Sequence, residues 1–188
     1  MTDEAFRQST TTLLSMIKNG KSQHRDELYR RCLPMMLHFA KGRLPISCRS
    51  AADTEDLVQV TLMKTLNKLD KFESQKKGGF FAYLRTIMLN AVRDEIRKQS
   101  NKIRTTDADK LPLAAEDSVV AKVIGLQTLA AYEDALPSLS DKIREAVILR
   151  IEFDLSYEEI AMELDISSSD TARMRVARGL TQLAELMP

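Results

Sequence analysis

Tryptophan is absent from this chain of 188 residues, and the residues that punctuate β-rich folds are scarce. The sequence holds 6 Gly, 5 Pro, 6 Phe and 4 Tyr. A β-sandwich or barrel needs a turn signal every ~8 to 12 residues, so this shortage disfavours both architectures. Hydrophobic residues still make up 44% of the chain and charged residues 29%, which is typical of a protein with a packed core. The composition therefore predicts an all-α fold.

Cysteine and histidine are scarce as well, with two of each. Cys32 and Cys48 form no CxxC pair, and His24 and His38 do not complete a zinc-ligand spacing, so we expect no metal and no cofactor. The acidic N-terminus has no apolar signal segment, and no run of ~18 apolar residues occurs. We therefore expect free thiols, a cytoplasmic location and no membrane insertion.

The net charge of +1 conceals two oppositely charged halves. The N-terminal half, residues 1–105, has 20 Lys+Arg against 11 Asp+Glu, a net of +9. The C-terminal half, residues 106–188, has 8 against 16, a net of −8. Such asymmetry indicates a polyanionic partner for the basic half, and an uneven solvated surface is the alternative interpretation.

Apolar residues recur at helical intervals through both halves. The pattern predicts two helices before Leu44, with Asp53 and Ser140 as N-caps of later ones. Further helices are expected over about 54–69, 80–99, 119–136, 141–152, 157–164 and 171–187. Residues 101–118 lack this periodicity and contain a proline, which is typical of a linker. We therefore expect two small helical domains, 1–100 and 119–188, joined by a flexible linker.

The C-terminal domain carries the pattern of a helix-turn-helix. Ser156 and Glu159 form a capping box, and a turn at Asp165 separates that short helix from the last one. An apolar stripe of the last helix is expected to face the core: Ala172, Val176, Leu180, Leu183 and Met187. The opposite face presents Thr171, Met174, Arg175 and Arg178, with Arg173 on its flank. Arginine binds guanine or phosphate, although surface solvation would also account for this pattern.

The helix predicted from Phe80 has a polar stripe opposite its core face. Thr86, Asn90, Arg93 and Arg97 lie within about 60° of one another, at 100° per residue. Residues 71–104 hold nine basic and three acidic residues with four interleaved aromatics. Cations beside aromatics suit unstacked single-stranded bases. Core packing is the more favoured interpretation for Phe80 and Phe81, whereas Phe72 beside a charged loop is open.

Taken together, the motifs resemble those of the extracytoplasmic-function (ECF) type of bacterial RNA polymerase sigma factor, over nearly the whole chain. Residues 53–59, DTEDLVQ, are similar to the family's D-x-E-D-L-V-Q signature, and residues 69–72, LDKF, to its L-D-R-F. Phe81 to Leu84 with Ile87, Asn90, Asp94 and Arg97 resemble the next family helix. The C-terminal half matches through Leu136-Pro137, Arg144, Val147, Leu149-Arg150 and residues 155–161, LSYEEIA.

The resemblance implies that each domain reads one promoter element and that the first also binds polymerase. Docking on the β′ clamp helices would involve Asp53, Glu55, Asp56, Leu57 and Gln59. Recognition and melting of the minus-ten element would involve Lys71, Phe72, Lys76, Lys77, Asn90, Arg93, Arg97 and Lys98. Recognition of the minus-thirty-five element as duplex would involve Ser169, Thr171, Arg173, Met174, Arg175 and Arg178.

The implied partners are core RNA polymerase, through β′ and β, promoter DNA and an anti-sigma protein, and the chain would have no catalytic centre. Tyr83 and Leu66 replace tryptophans common in the family, and Asp165 replaces the usual turn glycine. The turn before Thr171 is one residue longer than usual, which leaves the register of Arg173 and Arg175 open. The alternative is a stand-alone helix-turn-helix regulator that binds DNA as a dimer. A third hypothesis, a DNA-processing enzyme, lacks support because the sequence shows no constellation of a nucleophile and a base.

The opposite charges of the halves also predict that they attract each other in the free protein. We expect the compact form to cover part of the DNA-facing surface. We also expect it to loosen as salt rises, because exposed charges beyond ~8 to 10 Å are largely screened near physiological salt.

Overall fold

The computed structural model describes residues 9–21, 23–44, 51–69, 72, 78–105 and 117–187, and within these ranges it contains helices and no strands. This confirms the all-α prediction. The N-terminal half contains α1 (Thr10–Lys18), α2 (His24–Arg43), α3 (Ala51–Leu66) and α4 (Gly79–Thr105). The C-terminal half contains α5 (Asp117–Ala135), a 3₁₀ turn (Leu136–Ser138), α6 (Asp141–Ile151), α7 (Tyr157–Leu164) and α8 (Ser169–Leu186).

The helix ends follow the local chemistry of the sequence in most places. The capping box is confirmed: Glu159 N–H donates to Ser156 Oγ at 3.2 Å, and Ser156 N–H donates to Glu159 Oε2 at 2.5 Å. Asp165 ends α7 with a φ of 51°, the left-handed conformation that aspartate tolerates better than most residues. The helix-turn-helix therefore forms without the turn glycine.

Of two predicted N-caps, the one at Asp53 is wrong, and the one at Ser140 is confirmed in position. Helix α3 begins at Ala51, so Asp53 lies within its first turn instead of preceding it. Its carboxylate there still complements the positive end of the helix dipole. Ser140 does occupy the N-cap of α6, but its hydroxyl makes no capping hydrogen bond.

The predicted linker is too wide at both ends. Helix α4 continues to Thr105, and α5 already begins at Asp117. Residues 106–116 lie outside the described residues.

The two halves pack against each other around a shared hydrophobic core. Phe153, which follows α6, lies between two rings of the N-terminal half. It stacks on Phe39 of α2 with a centroid distance of 5.8 Å and meets Phe81 of α4 edge-on at 5.4 Å. All three rings are almost fully buried, within a cluster that runs from Leu13 of α1 to Val176 of α8. The two small domains therefore adopt a closed arrangement.

Helix α8 approaches α6 closely at Gly179. A Cβ added there would lie 2.4 Å from a methyl carbon of Val147 and 2.8 Å from one of Ile143. The predicted apolar stripe of α8 is therefore wrong at one position: Leu180 is 42% exposed, and Gly179 packs on α6 beside it. The side chains of Ala172, Val176 and Leu183 are buried as expected.

Among the described residues, no helix has both the length and the apolar character to cross a membrane.

The close approach at Gly179 predicts that Gly179→Ala destabilises the protein. The two methyl groups in the way belong to β-branched side chains with restricted rotamers, and overpacking costs ~1–3 kcal/mol. Gly42→Ala is the matched control, since that exposed glycine lies in α2 with nothing within 4 Å of an added Cβ. Because alanine favours the helix more than glycine does, Gly42→Ala should instead stabilise the protein by up to ~1 kcal/mol. Urea unfolding followed by circular dichroism measures both, and equal effects of the two substitutions would contradict the packing.

Candidate polymerase and nucleic-acid interfaces

The residues assigned to polymerase docking lie on the outer face of α3. Asp53, Glu55, Asp56 and Gln59 are exposed, and Leu57 is half-buried. Val58 and Leu62 on the opposite side of this helix are fully buried and hold it against the core. Two apolar neighbours on the outer face were not predicted from the sequence: Val60 is 51% exposed and Met63 52% exposed. The face thus combines carboxylates with unpacked apolar side chains.

This face of α3 continues into an open groove against α4. The groove has a volume of about 480 Å³, and it is lined on the α3 side by Asp56, Leu57 and Val60. Asp94 and Lys98 line it from α4. Acidic, basic and apolar groups therefore meet along one surface, which is the chemistry of a protein interface more than that of a small-molecule site.

The polar stripe of α4 faces solvent as a whole. Thr86, Asn90, Arg93 and Arg97 are all exposed at successive helical turns. Arg97 pairs with Asp94 one turn earlier, and Lys98 Nζ lies 3.8 Å from Glu95 Oε2. Exposed pairs of this kind contribute little to stability, so both cations can exchange their partner for a phosphate at small cost.

Of the remaining residues assigned to the minus-ten element, only Phe72 is described, and Lys71, Lys76 and Lys77 lie outside the described residues. The Phe72 ring packs on Phe80 at 5.7 Å and on Tyr83 at 4.9 Å between centroids. It is half-buried at the edge of the core, whereas Phe80 and Phe81 are buried. Core packing is thereby confirmed for Phe80 and Phe81, and Phe72 keeps one side accessible.

The recognition helix candidate, α8, begins two residues earlier than predicted. Ser168 is its N-cap and accepts a hydrogen bond from Thr171 N–H at 3.2 Å. Ser169, Thr171 and Arg175 are half-buried, whereas Arg173, Met174 and Arg178 are exposed. Arg173 lies 3.3 Å from Asp170 in a solvent-exposed pair. Two arginines and a methionine thus project from the face opposite the core.

The interface between the halves contains charged groups that the sequence analysis did not single out. Glu152, almost fully buried at the end of α6, accepts hydrogen bonds from Arg85 Nε at 2.8 Å and Tyr132 Oη at 2.8 Å. Arg43 Nη2 lies 3.1 Å from Glu152 and 2.7 Å from Glu133, and Arg85 also binds Glu133. We call these five residues the Glu152 cluster. The Glu152 cluster connects α2 and α4 of the N-terminal half to α5 and the end of α6 in the C-terminal half through hydrogen bonds and ion pairs.

The pKa values within the Glu152 cluster reflect this mutual stabilisation. Burial alone would raise the pKa of Glu133, but the hydrogen bonds from Arg43 and Arg85 outweigh it and hold the pKa below the usual range. Burial alone would lower the pKa of Arg85, yet Glu152 and Glu133 keep it above the usual value. Both groups are therefore charged in the closed protein at neutral pH.

A second buried contact, the Glu163 cluster, joins α7 to α1 and α2. Glu163 Oε1 accepts hydrogen bonds from the backbone N–H and the hydroxyl of Thr10, both at 2.7 Å. Arg31 Nη1 lies 3.6 Å from the same oxygen, and the side chains of Arg31 and Glu163 are 1% and 2% exposed. Burial raises the pKa of Glu163, and the hydrogen bonds from Thr10 and the charge of Arg31 offset only part of that rise.

The expectation that closure covers part of the DNA-facing surface is not met at five of the assigned residues. Asn90, Arg93, Arg97, Arg173 and Arg178 are all exposed although the halves are packed together. The expected loosening with salt also needs revision, because buried ion pairs are screened much less than exposed ones. A weak signal was present in the sequence: Glu163 falls on the apolar side of its helix with Ile160 and Leu164, where a charge needs a partner.

Comparison with known proteins gives two family matches, the Sigma-70 region 2 family over residues 28–102 and the Sigma-70 region 4 family over residues 129–183. The chain is 29% identical to the RNA polymerase sigma factor CarQ of Myxococcus xanthus, over 93% of this chain and 95% of CarQ. It is 32% identical to the ECF RNA polymerase sigma factor EcfG of Rhodopseudomonas palustris, over 87% of this chain and 84% of EcfG.

One similar solved structure is that of the sigma factor RpoE in complex with the anti-sigma factor NepR from Bartonella quintana. It is 28% identical to this chain, covers 87% of it and 96% of RpoE, and superposes with a TM-score of 0.39.

The raised pKa of Glu163 predicts a stability that falls as pH rises. Between the ordinary carboxyl pKa and the raised one, the folded protein binds more protons than the unfolded chain, so the free energy of unfolding decreases with increasing pH. Glu163→Gln cannot titrate, so that part of the slope should disappear. Glu185→Gln, at an exposed site on α8, is the control and should keep the wild-type profile. Urea unfolding between about pH 5 and pH 8 measures how the free energy of unfolding of each protein depends on pH. This range lies above the ordinary pKa of a carboxyl group. An unchanged slope in Glu163→Gln would contradict the assignment.

Proposed function

The chain belongs to the ECF RNA polymerase sigma factors, which are transcription initiation factors, and from this we propose which of its surfaces performs each step of initiation. The observation that supports the proposal is the presence of three separate exposed faces, on α3, α4 and α8, that carry the motif residues. Each face has a different chemistry. The chain would itself catalyse nothing, would act in the cytoplasm, and would bring core RNA polymerase to a promoter.

We assign polymerase docking to the face of α3. Asp53, Asp56 and Gln59 supply acceptors and a donor, and the exposed Val60 and Met63 beside them supply apolar surface that a partner can bury. Burying apolar surface yields ~25 cal/mol per Å², so two such side chains contribute as much as a good polar contact. The β′ clamp helices that the family resemblance names are the expected occupant.

The double substitution Asp56→Ala with Gln59→Ala is expected to weaken binding to core RNA polymerase while leaving the helical content unchanged, since both side chains are exposed. Gln23→Ala with Asp26→Ala is the matched control, an exposed glutamine and aspartate at the same spacing, of which Gln23 is the N-cap residue of α2 and Asp26 lies in its first turn. Titration of labelled protein with core enzyme measures both affinities. Full retention of binding by the α3 variant at unchanged circular dichroism would contradict the docking assignment.

Recognition and opening of the minus-ten element is assigned to α4 and the segment before it. Removing a base from the stack costs a few kcal/mol, so cations and stacking surfaces must hold the displaced strand. Arg93, Arg97 and Lys98 provide exposed cations, Asn90 can both donate and accept, and the accessible side of Phe72 is the available stacking surface. We include Lys71, Lys76 and Lys77 on the resemblance alone.

Recognition of the minus-thirty-five element is assigned to α8. Its exposed face carries Arg173, Met174 and Arg178, with Ser169, Thr171 and Arg175 partly covered at its edges. Arginine can bind guanine through two hydrogen bonds or hold a phosphate, and these two roles differ in what they contribute to sequence specificity.

Arg175→Ala and Arg178→Ala are each expected to reduce affinity for the upstream promoter element. Loss of a residue that reads a base should cost ~1–3 kcal/mol of binding free energy and relax specificity at one position. Loss of a phosphate contact should weaken binding to all promoter sequences alike. Lys142→Ala removes an exposed cation from α6 of the same half and should have little effect. Titration of holoenzyme against single-base promoter variants separates the two roles. Unaltered promoter binding in both arginine variants would show that α8 is placed in another register.

A stand-alone helix-turn-helix regulator is the second candidate, supported by the exposed arginines of α8 alone. Its signature would be tight binding of the free protein to palindromic duplex without polymerase. An anti-sigma protein is the further partner that the family resemblance implies.

A further inference from the structure

Helix α8 is turned about its axis relative to the orientation that its apolar pattern predicts. The pattern places Leu180 toward the core, whereas the structure buries Gly179 and leaves Leu180 exposed. At about 100° per residue, this exchange shifts the centre of the buried side by about 30°. The centre of the exposed side shifts by the same angle, away from Arg178 and toward Asp170.

The middle of the exposed side of α8 is formed by residues that lie within about 60° of one another around the helix. They are Asp170, Met174, Ala177 and Thr181, and all of them are exposed. Met174 and Ala177 are apolar, and the Thr181 hydroxyl donates to the carbonyl oxygen of Ala177 at 3.2 Å. Of this set, Asp170 is therefore the member whose polar side chain is not committed to the backbone of its own helix.

Asp170 lies at the end of α8 that contacts bases in helix-turn-helix proteins. Ser168 is the N-cap, so Asp170 belongs to the first turn, and N-terminal residues of a recognition helix contact base edges. The Asp170 side chain is 83% exposed, and its carboxylate lies 3.3 Å from Arg173 in an exposed pair. Such pairs contribute little to stability, so the carboxylate can exchange this partner for another donor at small cost. Arg173 remains beside it and offsets repulsion by nearby phosphates.

We propose that Asp170 reads a base and selects cytosine at one position of the upstream element, an inference that rests on the function proposed for α8. An ionised carboxylate only accepts hydrogen bonds, and the N4 amino group of cytosine is the donor that it matches in the major groove. Thymine and guanine present acceptors there, and adenine presents its N7 acceptor beside its amino group. Arg173 and Arg178 lie about 60° and 80° to either side of Asp170, toward the phosphates at the walls of the groove.

The decisive variant is Asp170→Asn, which keeps the shape of the side chain and adds an amide donor. Because an amide pairs with N6 and N7 of adenine, the preference at that position should change from cytosine to adenine. Asp170→Ala should abolish the preference there. Asp141→Asn is the matched control, since Asp141 also lies in the first turn of its helix and pairs with the arginine three residues later.

The measurement uses complexes of core RNA polymerase with the wild-type chain or with each variant. Each complex selects from double-stranded promoter fragments randomised over both elements, and sequencing of the bound fragments gives the base preference at every position. We expect the wild-type complex to enrich cytosine over thymine about tenfold at one upstream position, the scale of a single specific base contact. The Asp141→Asn complex should select the same motif as wild type.

The outcomes separate the role of Asp170 from the function proposed for α8. If the wild-type complex selects no upstream motif, the assignment of α8 fails, and the reading by Asp170 fails with it. If wild type selects a motif and either Asp170 variant keeps its cytosine, the role of Asp170 alone is overturned. A carboxylate that served only the helix dipole would give this second result, because a weakened α8 binds all sequences less tightly. The same change of base in Asp141→Asn would also overturn the role of Asp170.

Discussion

The closed form of this protein depends on buried carboxylates of one half that find their partners in the other. Glu152 and Glu163 are almost fully buried, and the arginines that compensate them, Arg43, Arg85 and Arg31, belong to the N-terminal half. Taking such charges out of water is costly, and the cost is recovered only when the geometry supplies several hydrogen bonds to each. A contact of this kind specifies one arrangement of the halves, and it loses its advantage as soon as one partner is missing.

Much of the local structure could be predicted because it depends on neighbours in the sequence. The capping box of Ser156 and Glu159 and the left-handed turn at Asp165 follow from spacing and residue type. The buried faces of α4 and α8 follow from helical periodicity, apart from Leu180. That exception has a tertiary cause: Gly179 lets α8 approach Val147 of α6, and the helix rotates Leu180 toward solvent. The hydrophobic periodicity of one helix cannot predict how closely that helix approaches another that is distant in the sequence.

The sequence predicted attraction between the halves only from the net charge of each half. Net charges of +9 and −8 predict attraction, but they do not identify which few of those charges are buried. The three arginines of the interface are scattered over α2 and α4, and each would be a normal surface residue in isolation. The candidate sites show the opposite situation. Their residues are adjacent in motifs, so they could be proposed from the sequence, whereas the exposure of Val60 and Met63 could be seen only in the fold.

The separation of the two halves before and after polymerase binding tests the account most directly. Fluorescent labels on cysteines introduced at exposed Ala82 and Ala184, in a Cys48→Ser background, report it by energy transfer. Burial raises the pKa of Cys32 to about 12 and keeps that thiol unreactive during labelling. In the free protein the labels should lie within the ~40 Å of a compact chain. In the complex with core polymerase and promoter, where α4 and α8 would each bind their own element, the labels should move farther apart, and an unchanged transfer efficiency would contradict the account.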